Sequence, residues 1–298
     1  MLGVGDDAAV LELAPGERLV AAVDTLVTDV HFPADAPPAS IGHKALAVNL
    51  SDLAAMGAQP AWLLLALTLP EIREPWLEAF SKGLADLARA HGMTLVGGDT
   101  TQGPLTVTVQ ALGRLQGAPL RRDAARAGDR VLVSGTLGDA GGGLQLWQRG
   151  CRQDGPSVRY LVERLHRPQP RVALGLALRG IARAAIDISD GLAADLGHVC
   201  RASGVGAVLE RERLPLSREL VDEFGENAAR RLALSHGDDY ELCLTVAPAA
   251  VATAREAAAG LGVRLTEVGR IEAGEGVRVV DAAGRPVDAG GGYRHFLP

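Results

Sequence analysis

A mixed α/β fold in two unequal domains is what the sequence predicts, on three observations. Short apolar runs bounded by Gly, Pro and Asp alternate with longer segments of helical period. The chain, at 298 residues, is long for one core and comfortable for two. A polar, turn-rich stretch from Gln116 to Gly128 interrupts the periodicity, and the domain boundary is placed inside it, giving 1–122 and 123–298.

In chain order, the first apolar run, Leu19–Val23, reads as a strand ending at Asp24, and the periodic segment Ile41–Met56 as a helix. Trp62–Leu69, the core of the longest apolar run, is the next strand, and Pro75–His91 the next helix. Thr94–Val96 and Thr106–Leu112 complete the strands of the first domain. In the second, Arg130–Val133 leads into a helix over Ala140–Arg149, followed by a helix over Pro170–Ala184 and the strand Ala185–Ile188. A helix over Leu192–Ala202, strands over Val205–Leu209 and Leu242–Val246, a helix over Pro248–Leu261 and strands over Val263–Gly269 and Val277–Val280 finish the chain.

Composition removes several function classes. Acidic side chains outnumber basic ones, 36 to 30, with no Lys/Arg block, which argues against nucleic acid as partner. The run Ala61 to Leu69 is far short of the roughly 20 residues a membrane helix needs, and no charged-then-apolar leader opens the chain. A soluble, cytoplasmic protein is expected. Cys151, Cys200 and Cys243 are odd in number and far apart, giving neither a disulfide framework nor a zinc knuckle.

The informative residues are aspartates where a plain core would not put them. Asp52 is the only ionisable side chain between Lys44 and Glu71, and helical spacing sets it on the face of Ile41, Ala45 and Val48, with Asn49 one turn earlier. A buried carboxylate there needs a cation, either a distant Arg or Lys or a metal ion. Asp187-Ile-Ser-Asp190 closes an apolar strand and enters a helix after Gly191; Asp190 alone reads equally as a helix N-cap, but its pairing with Asp187 favours a ligand role. Val96-Gly-Gly-Asp99 ends a strand with two glycines, so that backbone N–H groups and a carboxylate can face a ligand. Gly3-Val-Gly-Asp-Asp7 and the strand ending at Asp24 add two more isolated acids. Strand ends are where α/β proteins bind ligands, and magnesium is the economical partner for scattered carboxylates. Zinc is disfavoured because Cys and His do not cluster. The P-loop, the protein-kinase signatures and G-x-G-x-x-G are all absent, while Ser134-Gly-Thr-Leu-Gly-Asp-Ala-Gly-Gly-Gly143 is a glycine-rich turn that could serve phosphates.

Together these segments resemble the thiamine-monophosphate kinase family of the aminoimidazole ribotide synthetase-like ATP-binding superfamily. The matching stretches include GVGDDAAVL at Gly3, VDTLVTDVHF at Val23, NLSDLAAMG at Asn49, LVGGDTTQGPL at Leu95, VSGTLGDAGGGL at Val133, AIDISDGLAADLGHV at Ala185, HGDDYELCLTV at His236 and GYRHF at Gly292. The resemblance implies a smaller N-terminal domain that pairs in a homodimer and a larger C-terminal domain completing the site. It also implies ATP as co-substrate, several magnesium ions, and thiamine monophosphate as acceptor. Carried over, Asp7, Asp24, Asp52, Asp99, Asp187 and Asp190 would ligate metal. His91, Gly98, Asp99, Arg122 and Ser189 would meet ATP; His31, Asp238 and Tyr293 would meet thiamine monophosphate; and Asp52, Asp99, Arg122 and Asp190 would carry catalysis.

Three departures accompany the match. The family's short helical segment ahead of the GVGDD stretch is not in this sequence; Ala22 and Val23 stand where a Ser or Thr often precedes the acid matched by Asp24; and His91 aligns with a nucleotide-contacting Tyr. The chemistry suits the residue inventory. A phosphate monoester is already anionic near neutral pH, so the reaction needs charge neutralisation and in-line alignment rather than a general base. Two other readings stay open: another ATP-using member of the superfamily such as the ribotide synthetase, and a catalytically silent nucleotide- and metal-binding regulator.

Overall fold

The computed structural model describes residues 3–5 and 7–293. The chain divides into two compact units, residues 1–53 with 58–118, and 54–57 with 119–298.

The first unit is a four-stranded sheet backed by two helices. Its strands are β1 (Glu17–Val27), β2 (Gln59–Leu69), β3 (Thr94–Gln102) and β4 (Thr106–Gln116), in the order β1-β4-β2-β3. The β1–β4 and β4–β2 pairs are antiparallel, and β2–β3 is parallel. Val107, Val109, Ala111 and Leu63 are fully buried on the central strands. Helix α1 (Pro38–Ala55) and α2 (Glu74–Ala90) meet backbone to backbone at two glycines: a Cβ on Gly83 would lie 1.9 Å from the Ala39 carbonyl oxygen, and one on Gly42 2.1 Å from that of Phe80. On α1, Ile41, Ala45 and Val48 are buried as their spacing requires.

The second unit is built on a seven-stranded sheet, in the order β11-β10-β7-β9-β5-β8-β6. The strands are β5 (Arg130–Ser134), β6 (Ala182–Asp187), β7 (Gly206–Glu210), β8 (Leu242–Val246), β9 (Leu265–Glu272), β10 (Gly276–Val280) and β11 (Pro286–Val287). Around them lie α3 (Asp139–Gln148), α4 (Pro156–His166), α5 (Val172–Ala177), α6 (Leu192–Ser203), α7 (Arg218–Phe224), α8 (Glu226–Ser235) and α9 (Val251–Ala259). One core gathers Val131, Ile186, Ile188, Leu196, Leu209 and Cys243; another packs α3, α4, α7 and α8 around Leu161 and Leu220. Among the described residues, no helix is long and apolar enough to cross a membrane.

Several expected boundaries move, and two of the moves matter for the site. β1 runs on to Val27 and β3 to Gln102, so Asp24 and Asp99 sit within strands rather than at their ends. Partners across the sheet, Val109 for Asp24 and Ala66 for Asp99, extend the ladder past the turn residues that suggested a stop. The helix expected over Pro170–Ala184 is only α5, because Gly180 turns at φ 77° and Ala182–Asp187 pairs with β8. Helices α4, α7 and α8 and the two-residue β11 were not expected.

Candidate active site

In the first unit, the Gly97-Gly98-Asp99 segment lies on the edge strand β3, and its glycines answer to the neighbouring strand. Pairing with β2 slips register between Leu63 and Leu64, and a Cβ on Gly98, at φ 155°, would lie 1.9 Å from the Leu65 carbonyl oxygen. The close approach expected of a ligand is made by the protein's own backbone. Beside it opens a groove of about 750 Å³, lined among others by Gly5, Asp7, Gly97, Gly98, Asp99 and Gln110. Asp7 and Asp99, called from separate stretches, therefore share one groove, and both carboxylates are exposed to it. Asp6 lies outside the described residues.

Asp24 is placed differently. It is level with Gly98 through the register Asp24–Val109–Leu65–Gly98, but on the opposite edge strand. Three strand spacings separate the edges, roughly 14 Å along the sheet, so Asp24 and Asp99 of one chain cannot share an ion. Asp52 lies in the last turn of α1, half-buried rather than enclosed, where the helix dipole is negative and disfavours a carboxylate. His31 sits in the turn after β1. Its Nδ1 accepts the Val27 N–H at 3.0 Å, which leaves the ring proton on Nε2, and its carbonyl accepts from the buried Lys44 ammonium at 3.0 Å. His91 caps α2, and burial lowers its pKa, keeping the imidazole neutral at neutral pH.

In the second unit, the Asp187–Gly191 turn is a hub of backbone bonds. Asp187, buried at the end of β6, pairs with Leu242. The Ser189 carbonyl accepts the Asp238 N–H at 2.9 Å, and the Asp190 carbonyl accepts the Tyr293 N–H at 3.0 Å. Four residues called for metal, nucleotide and acceptor thus converge: Ser189, Asp190, Asp238 and Tyr293. Asp238 and Tyr240 hold left-handed backbone, at φ 69° and 49°, and the Tyr240 hydroxyl donates to Asp238 Oδ1 at 3.1 Å. Non-glycine residues rarely hold such angles without surrounding support. Tyr293 is exposed; Arg294, His295 and Phe296 of the GYRHF stretch lie outside the described residues. Arg122 is exposed and pinned by its backbone, its carbonyl accepting the Ser203 hydroxyl at 2.9 Å while the Arg121 carbonyl accepts the Ala185 N–H at 3.0 Å.

Two buried acids that the sequence reading did not single out shape this unit. Asp195, on α6, accepts the N–H groups of Ser189, Asp190 and Gly191 on a single oxygen, at 3.1, 3.0 and 3.1 Å. It gathers the N–H groups of the residues that lead into α6, whose N-cap position is held by Gly191 and not by Asp190. Burial first, and the nearby Asp187 charge second, push the Asp195 carboxyl up to about 8. The second acid, Asp239, accepts the Gly138 and Ala140 N–H groups at 2.7 and 3.3 Å. The glycine-rich turn before α3 therefore spends these two N–H groups on an internal carboxyl group. Its later glycines serve packing: a Cβ on Gly143 would lie 2.2 Å from the Leu161 carbonyl oxygen. Below Asp239, Glu241 is fully buried and bound by Ser134, Arg164 and Arg171.

The signal for Asp195 was present. Leu192, Asp195, Leu196 and Val199 form one buried stripe at helical spacing, the same pattern that singled out Asp52. Among the described residues, no group of three or more His, Cys, Asp or Glu side chains gathers as a metal-binding cluster.

The chain that carries this groove and this clamped turn falls in the class of the AIR synthase related proteins. The profile of that family's N-terminal domain matches residues 5–115 and that of its C-terminal domain residues 126–282. Within the class, the thiamine-monophosphate kinase of Salmonella typhimurium (strain LT2) is 48% identical over 99% of this chain and 91% of its own length. A crystal structure of thiamine-monophosphate kinase from Stenotrophomonas maltophilia K279a superimposes with a TM-score of 0.90 at 50% identity, covering 94% of this chain and 90% of that one. AaThiL complexed with AMPPCP and TMP superimposes with a TM-score of 0.86 at 35% identity, covering 98% of this chain and 92% of that one. The chain belongs to the thiamine-monophosphate kinase family.

Proposed function

We propose that this protein transfers the γ-phosphoryl group of ATP directly to the phosphate of thiamine monophosphate, giving thiamine diphosphate and ADP. The observation that carries the reading is the convergence of Ser189, Asp190, Asp238 and Tyr293 on one turn, in a chain whose relatives are kinases for this acceptor. The donor set suits magnesium: the groove of the first unit offers the carboxylates of Asp7 and Asp99 beside Thr100, Thr108 and Gln110, all hard oxygen donors. Asp52, Asp24, Asp187 and Asp190 would hold further ions, Asp24 serving a different one from the Asp99 of its own chain. When bound, these ions neutralise the two polyanions and bring acceptor and donor oxygens into line.

The chain's own residues then do the rest. Gly98 and Asp99 line the groove side by side and would face the nucleotide phosphates there, and the groove volume is that of an ordinary small-molecule site. Arg122 adds positive charge to the transferring group, and Ser189 a hydroxyl. His31, with its proton fixed on Nε2, donates to the acceptor; Asp238 and Tyr293 hold its cationic part by charge and by cation–π contact. His91 presents a neutral imidazole to the nucleotide. The homodimer pairs first units, whose sheet exposes Leu19, Val23 and Leu95. A cytoplasmic location accords with the chemistry of both substrates.

Incubation with ATP, magnesium and thiamine monophosphate should give thiamine diphosphate and ADP in equal amounts, and a chirally labelled γ-phosphate should be transferred with inversion. ADP release without thiamine diphosphate would refute the acceptor; net retention would refute direct transfer.

A further inference from the structure

We propose that Asp195 is a positioning residue that locks the Ser189–Gly191 turn and, through it, couples the metal-binding carboxylate Asp190 to the acceptor-binding segments around Asp238 and Tyr293. The turn has two sides. Its N–H groups, from three consecutive residues, all point inward to one Asp195 oxygen. Its carbonyls point the other way, Ser189 to the Asp238 N–H and Asp190 to the Tyr293 N–H. A peptide plane is rigid, so fixing the direction of an N–H fixes that of the carbonyl on the other end of the same plane. The N–H of Asp190 belongs to the plane that carries the Ser189 carbonyl, and the N–H of Gly191 to the plane that carries the Asp190 carbonyl. Asp195 therefore orients both carbonyls.

Close packing leaves the turn little alternative. A Cβ on Gly237 would lie 2.0 Å from the Ser189 carbonyl oxygen, and one on Gly292, at φ 62°, 3.2 Å from that of Asp190. Gly191, at φ 114°, lies against the Ser235 backbone. Asp195 is 3% exposed, so it acts from behind the turn and has no surface to offer substrate. Three bonds to one carboxyl oxygen, each from the backbone, make an anchor that no single neighbour replaces.

The inference rests on the kinase reading for the roles of Asp190, Asp238 and Tyr293, but its primary test does not. Hydrogen–deuterium exchange of the full-length protein, without ligands, should show faster exchange in Asp195→Ala than in wild type. The increase should be about tenfold or more, in the segments 188–192, 236–241 and 290–293 together, with 130–134 and 242–246 unchanged. Asp195→Asn keeps an acceptor oxygen in place and should show the same pattern at smaller amplitude, which also covers the case in which the alanine variant does not fold. In turnover, Asp195→Asn should raise the KM for thiamine monophosphate at least fivefold while the nucleotide KM moves less than twofold. Faster exchange confined to 188–192 would overturn the coupling, and a uniform increase across the chain with both KM values unchanged would make Asp195 a merely structural residue. A wild-type protein without kinase activity would sink the functional reading, yet the exchange pattern would still decide the coupling.

Discussion

The two units present the same signal in sequence, an apolar run closing on glycine and aspartate, and build it by opposite means. In the first, Gly97-Gly98-Asp99 is shaped by what is missing, since only a residue without Cβ fits 1.9 Å from the Leu65 carbonyl. In the second, Asp187–Gly191 is shaped by what is added, a buried carboxyl group that gathers three N–H groups on one oxygen. The edge strand leaves Asp99 exposed, whereas the turn is held by three backbone bonds. One segment is exposed and the other clamped, and perturbations should strike the two units differently.

The largest stability effect belongs to the second unit. Glu241→Gln removes the buried charge that meets Arg164 and Arg171, both largely enclosed. It should cost about 3–5 kcal/mol in urea unfolding, because Arg171 loses the acid it pairs with and Arg164 keeps only the more distant Asp139. A cost under about 1 kcal/mol would show that these arginines find other acids, with Asp139 the nearest candidate at 3.6 Å from Arg164.

Next, and in the first unit, Gly98→Ala should cost about 2–3 kcal/mol by forcing β3 away from β2. Gly5→Ala is the control: it too has positive φ, but a Cβ there meets nothing within 4 Å. Equal losses would mean that backbone strain, not strand packing, governs Gly98.

How far each unit was legible follows from the range of its causes. Asp52 and Asp99 stood out because no other ionisable side chain lies near them in sequence, and Asp7 because it closes a Gly-Val-Gly-Asp-Asp stretch, all local signals. The strand ends near Asp24 and Asp99 were misplaced because ladder pairing with Val109 and Ala66 overrides local turn propensity. Asp239 escaped notice because its partners, Gly138 and Ala140, lie about a hundred positions away, 101 and 99. No periodicity carries such a pairing. Asp195 is the instructive case, since its stripe on α6 was readable and only its bonding was not.

Smaller effects separate recognition from architecture. Tyr293→Ala should raise the KM for thiamine monophosphate about tenfold, near 1.4 kcal/mol, with nucleotide binding unaltered. Parallel loss of both would place the residue in the fold instead. Smaller still is a pH effect. Asp239, its pKa raised well above the ordinary value chiefly by burial and next by Asp139, binds a proton in the folded state that the unfolded chain releases near pH 4. Stability from this group is therefore complete below the unfolded value and declines as pH rises toward the folded one. Asp239→Asn should flatten that decline in thermal melts between pH 4 and neutrality; an unchanged slope would assign it to other groups.

The claim that an exposed aspartate on β3 and a clamped one after β6 serve one phosphoryl transfer is tested most directly by a double-mutant cycle on Asp99→Asn and Asp190→Asn, read as the rate of thiamine diphosphate formation at saturating magnesium. Each single variant should lose about 10²–10³-fold in kcat, as for removal of one electrostatic stabiliser. Groups that act as a unit are strongly non-additive, so the double variant should fall less than about tenfold below the worse single one. Losses that multiply, each variant acting as though the other residue were untouched, would contradict a single shared assembly.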